Sequence, residues 1–81
     1  MTNRSRLLWR CCRRGTREMD TLFGRFLELE YDGLDAGQQL LFERLLDEPD
    51  PDIYAWILGN AQPANPEYRF LVQRLQGIHL L

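Results

Sequence analysis

Apolar residues recur along this chain at spacings of three and four, the pattern of helices that bury one face. Met19, Leu22, Phe23, Phe26 and Leu27 form the clearest stripe. Others follow at Leu41, Phe42, Leu45 and Leu46, at Ile53, Trp56 and Ile57, and at Leu71, Val72, Leu75 and Ile78. No apolar–polar alternation of strand length is present. The breaks between stripes carry helix punctuation. A first helix is expected from Asn3 to about Arg13, stopped at Arg14-Gly15, because glycine takes the left-handed turn that ends helices. Thr16 is expected to cap a second helix to about Glu30, with Glu18 and Asp20 in its first turn, where acids complement the positive end of the dipole. Asp32-Gly33 reads as a turn. Asp35 followed by Gln38 matches a capping box opening a third helix to about Asp47. Glu48-Pro49 interrupts the pattern. Asp50 is expected to cap a fourth helix with Pro51 at its first position, where a missing N–H removes no bond. Gly59-Asn60 closes it. Asn65-Pro66-Glu67 repeats the start signal for a fifth helix, with Gly77 near its end. The fold class predicted is all-α: a compact five-helix bundle forming a single domain over residues 1–81.

The chain has 81 residues, too few to split into two domains. No apolar run approaches the length of a membrane span. The net charge of −2 conceals an asymmetry. Residues 1–27 carry seven arginines against Glu18 and Asp20, and residues 28–81 carry three arginines against ten acids. All ten basic residues are arginine, which removes lysine-based Schiff-base chemistry. A basic N-terminal segment suits nucleic acid, but the acidic remainder would repel a phosphate backbone. An acidic protein surface or an anionic cofactor matches the basic end better. Residues 1–17 are rich in arginine and contain no acid, as transit segments do. They run into an amphipathic helix without a linker and so read as part of the domain, in a cytoplasmic protein.

The sequence offers no catalytic set. His79, third from the C-terminus, is the only histidine and Ser5 the only serine, so no nucleophile–base–acid set is apparent. His79 is expected to be an inert surface residue. Asp47, Glu48, Asp50 and Asp52 lack the glycine turn and bidentate glutamate of a calcium loop; they read as a solvated, helix-capping face, and no metal is expected. Cys11 and Cys12 are adjacent, a poor geometry for a mutual disulfide, and read as reduced thiols. The stretch with chemical content is Arg13-Arg14-Gly15-Thr16-Arg17-Glu18. It places three arginines and a glutamate around a helix–turn–helix corner left bare by Gly15. Such a corner can grip a carboxylate, a phosphate or a partner's backbone. The same residues also fit a capping glycine flanked by solvated arginines. Trp56 reads as core. Trp9 is either a partner anchor or a staple against the second helix. Tyr31 and Asp32 lie at a helix end bordering the corner's docking face.

The run Trp9-Arg10-Cys11-Cys12-Arg13-Arg14-Gly15-Thr16-Arg17-Glu18-Met19-Asp20 resembles the SdhE family of FAD assembly factors, whose R-G-x-x-E motif stands here as Arg14-Gly15-Thr16-Arg17-Glu18. The likeness continues through Leu22-Phe23-Gly24-Arg25-Phe26, Glu30-Tyr31-Asp32, Phe42-Glu43-Arg44-Leu45-Leu46 and Asp50-Pro51-Asp52-Ile53-Tyr54-Ala55-Trp56. It covers residues 4 to 75. The resemblance implies a five-helix bundle that is not itself an enzyme. It implies a helper that binds the flavoprotein subunit of succinate dehydrogenase or fumarate reductase and promotes its covalent flavinylation. FAD and the histidine that carries it then belong to the partner, and this chain holds no cofactor stably. Arg14, Gly15 and Glu18 carry over as partner-binding residues, with Arg17 beside them. Arg6 resembles a basic position before the motif. The family's frequent lysines are arginines here, and the cysteine pair is not a family feature. No nucleic acid or membrane partner is implied, and the free chain is expected to be a monomer. Some members of the family are labelled antitoxins, so sequestration of a toxin or other protein is the alternative.

Overall fold

The structure is a computed structural model that describes residues 3–79. Five α-helices follow one another: α1 (Asn3–Cys11), α2 (Arg17–Leu29), α3 (Ala36–Leu45), α4 (Asp50–Leu58) and α5 (Tyr68–His79), with one 3-10 turn at Tyr31–Gly33 between α2 and α3. No strand occurs among the described residues. The all-α expectation therefore holds, and the local signals explain most of the helix ends. Gly15 has φ +96° and makes the turn between α1 and α2. Thr16 is extended, and its Oγ1 accepts from the Met19 N–H at 3.2 Å. The capping box is complete. Gln38 N–H donates to Asp35 Oδ1 at 2.8 Å, and Asp35 N–H donates to Gln38 Oε1 at 3.1 Å. Gly59, with φ +82°, closes α4.

Some boundaries differ from expectation. α1 stops at Cys11 and α3 at Leu45, each two residues early, and the chain leaves in turns. Pro49, not Asp50, occupies the N-cap of α4, because the N–H groups of Asp52 and Ile53 both bond the Pro49 carbonyl at 3.1 Å. Asp50 becomes the first helical residue, and its carboxylate pairs with Arg14 at 2.6 Å instead of capping. α5 begins only at Tyr68. Asn65 organises the preceding turn, its Oδ1 accepting from Glu67 N–H at 3.0 Å and its carbonyl from Tyr68 N–H at 3.1 Å. Gly77 lies inside α5, which continues to His79.

α2 packs against both α1 and α5, and α5 also packs against α4 and α3. The stripe read from the sequence is the buried face of α2: Met19, Leu22, Phe23, Phe26 and Leu27. The centre of the core is aromatic. Phe42 stacks on Phe26 with ring centroids 4.6 Å apart and meets Phe23 and Tyr31 at 6.0 and 5.8 Å. Burying each such ring contributes about 1.5–3 kcal/mol. Tyr31, expected beside a docking face, is thus a core residue. The turn after α2 directs its ring inward, onto Phe42. Trp56 is half-buried, stacked on Tyr68 at 6.1 Å and packed against the core.

Candidate functional site

Seven arginines of the N-terminal third divide into two groups by what they touch. Arg4, Arg10 and Arg14 fasten α1 and its corner to the rest of the molecule. Arg4 pairs with Asp32 at 2.9 Å and donates to the Leu27 carbonyl at 3.3 Å. Arg10 pairs with Asp47 at 2.7 Å and donates to the Glu43 carbonyl at 3.1 Å. Arg14 is the most enclosed, its side chain 8% exposed. It donates to the carbonyls of Leu46 and Glu48, pairs with Asp50 and lies over the Phe23 ring with its guanidinium carbon 5.1 Å from the centroid. Only its Nε, also buried, lacks a hydrogen-bond partner. The fixed fork of a guanidinium suits this task, since it can reach two carbonyls and a carboxylate at once. Arg14 therefore ties the α1–α2 corner to the α3–α4 loop. In the free chain its guanidinium is thus turned inward and occupied by these contacts.

The other residues of the corner face solvent. Gly15 is exposed, and a Cβ built on it would meet nothing within 4 Å. The corner's backbone is braced from inside, with the Arg14 N–H donating to Asp20 Oδ1 at 2.6 Å. Arg13 and Arg17 are exposed and make no ion pair among the described residues. The Arg13 guanidinium lies 4.8 Å from the Trp9 ring centroid. Trp9 is 56% exposed and Leu8 48%, so Trp9 is no staple against α2. Leu8, Trp9, Arg13, Gly15 and Arg17 line an open, shallow concavity that mixes apolar surface with positive charge. Arg6 is exposed on α1, three residues before Trp9. Asp32 is exposed at the far end of α1, paired with Arg4 and away from this concavity.

Glu18 stands on the opposite side of the corner, in the first turn of α2. Its side chain is 53% exposed. It accepts from the Tyr54 hydroxyl at 3.1 Å, a bond that, with burial and the carboxylate's charge, raises the Tyr54 pKa above the usual phenol value. On its other flank lies His79 Nδ1 at 3.8 Å. The sequence reading missed both neighbours. His79 is half-buried at the end of α5, not on an unattached tail, and meets the Tyr54 ring edge-on at 6.4 Å. Thirty-six residues separate Tyr54 from Glu18, so no local pattern announces the contact. The cysteines differ sharply. Cys12 is exposed beside the concavity. Cys11 is buried in the core, and burial, followed by the neighbouring Cys12, pushes its thiol pKa up to about 12.

Comparison with known proteins bears on what this corner serves. Residues 5–79 match the family Sdh5, described as flavinator of succinate dehydrogenase. The chain belongs to this family. It is similar to proteins named FAD assembly factor SdhE: 37% identical over 73 residues to that of Coxiella burnetii, covering 90% of this chain and 88% of the relative. The Yersinia pestis protein is 38% identical over 75 residues, covering 93% and 84% of the two chains. The Colwellia psychrerythraea protein is 42% identical over 71 residues, covering 88% and 77%. The antitoxin reading finds no support in these matches. The Sdh5 family match spans every helix described here except the first two residues of α1, so the whole bundle, and not the motif alone, is shared. No helix of the described residues is long and apolar enough to cross a membrane.

Proposed function

We propose that this chain is a cytoplasmic assembly factor that binds the flavoprotein subunit of succinate dehydrogenase, and of fumarate reductase where present, and promotes covalent attachment of FAD. The observation that supports it most is the presentation of Gly15 and Glu18 on one open corner, in a chain matching the flavinator family along almost its full length. In this reading the chain supplies binding energy and no catalytic group. FAD and the histidine that receives it stay with the partner. A helper accelerates attachment only by binding one conformation of its client more tightly than another. Gly15 allows the partner's backbone to approach closely, since no side chain intervenes. Trp9 and Leu8 supply apolar contact area beside it, and Arg6, Arg13 and Arg17 supply positive charge for an acidic client surface. The chain acts as a monomer and binds neither nucleic acid nor membrane.

The test is in-gel flavin fluorescence of the denatured succinate dehydrogenase flavoprotein, made in cells with and without this chain. The covalent signal is expected to fall without it, to return with the wild-type chain and not to return with Glu18→Ala. An unchanged signal in cells lacking the chain rejects the proposal for this client.

A further inference from the structure

Beside Glu18 the surface dips into a cleft of about 210 Å³ that the motif does not account for. Its floor and walls are Met19, Pro51 and the Tyr54 ring, with the Glu18 and Asp50 carboxylates on its rim. Thr16 lines both this cleft and the concavity at Trp9, so the two lie on either side of that residue. We propose that this cleft receives a long cationic side chain, arginine or lysine, from the flavoprotein, and that Tyr54 is a specificity residue holding the Glu18 carboxylate over it. The inference rests on the reading above and names the chemistry of one contact within it.

Charge and shape select the occupant. The lining is mainly apolar, which suits a methylene stem, and its only charged groups are carboxylates. The Asp50 carboxylate is already paired with Arg14 at 2.6 Å, whereas Glu18 is half-exposed and bonds only a neutral hydroxyl at 3.1 Å, with His79 at a looser 3.8 Å. Tyr54 takes one lone pair of Oε1, which leaves the rest of the carboxylate to accept from an incoming cation. A phosphate or carboxylate would meet two acids here. An apolar side chain would fill the floor but strip water from Glu18 without compensation.

The experiment is calorimetric titration of the isolated flavoprotein subunit with wild-type chain, Glu18→Gln and Tyr54→Ala, with a thermal melt of each to confirm folding. Glu18→Gln is expected to weaken binding about tenfold or more, because the partner's cation loses its counter-charge on docking. Added salt should then weaken the variant less than the wild type. Tyr54→Ala is expected to weaken binding to a similar degree. Should that variant not fold, Tyr54→Phe keeps the ring and is expected to lose about threefold, the worth of one hydrogen bond. Wild-type affinity in Glu18→Gln, or tighter binding, overturns the proposal and points to an apolar occupant. Wild-type affinity in a folded Tyr54 variant overturns it as well. If the wild-type chain does not bind the flavoprotein at all, the underlying reading is what fails.

Discussion

Within the motif, one residue is internal and one external, and the two should fail differently when cut. Arg14 is enclosed and serves two carbonyls, one carboxylate and one ring. Arg14→Ala leaves Asp50 and those carbonyls without their partner, a loss of about 2–4 kcal/mol for an enclosed charged contact. In a chain of this size that lowers Tm by roughly 10 °C or more, which a thermal melt measures. Lysine presents one compact charge in place of a fork, so Arg14→Lys should recover only part of the loss. Glu18→Ala, by contrast, removes an exposed group and should shift stability by no more than about 0.5 kcal/mol. Below its melting point, Arg14→Ala should still support flavinylation, whereas Glu18→Ala should not. If Arg14→Ala is as stable as the wild type, the internal role assigned to it is wrong. Gly15 falls between these cases. Its φ of +96° strains any other residue, at a cost of about 1–3 kcal/mol, yet the space around it is open. Gly15→Arg should therefore fold, somewhat weakened, while obstructing the corner.

At the level of the elements, the sequence announced what depends on near neighbours. The α2 stripe, the Thr16 cap and the Asp35–Gln38 box all act within a few residues, and all are realised. Asp35→Ala should accordingly cost about 1 kcal/mol, seen as a lower urea midpoint, and it should leave the corner's binding intact because Asp35 lines neither the concavity at Trp9 nor the surface beside Glu18. What was not legible depends on contacts across the fold. The start of α4 was misplaced by one residue because Asp50 answers to Arg14, thirty-six positions earlier, and not to its own helix. Tyr31 looked like a surface residue beside a polar turn until Phe42 supplied a core to enter. Of the candidate site, Gly15 and Glu18 could be named from the motif, and Trp9 was left between two roles. The outward or inward direction of each arginine could not be read, because composition treats all seven alike. Tyr54 and His79 reach Glu18 only once α4 and α5 have packed around α2.

For the whole molecule, the absence of lysine gives an unusual view of alkaline stability. Three groups have pKa values raised by folding: Cys11 to about 12, chiefly by burial; Tyr54, chiefly by its bond to Glu18; and Tyr68, chiefly by burial, with the nearby Glu48 charge adding to it. Each is neutral when protonated, and each holds its proton more tightly in the folded chain than in the unfolded one. The unfolded chain releases these protons first, from about pH 9 for the thiol and about pH 10 for the phenols. Over that range the folded state binds more protons than the unfolded state, so stability must fall as pH rises. Well below these values, at neutral pH, the three groups are protonated in both states and contribute no slope. No lysine titrates in the same interval and arginine stays charged throughout, so these residues contribute to the fall without that overlap. Urea midpoints measured from pH 7 upward should stay level at first and then decline toward pH 12. The decline should be shallower in Cys11→Ala, which removes the largest of the three shifts even as it lowers the starting stability. A decline of unchanged slope in that variant would show that the Cys11 thiol is not shielded from solvent, and that the α1–α2 interface is looser than its packing indicates.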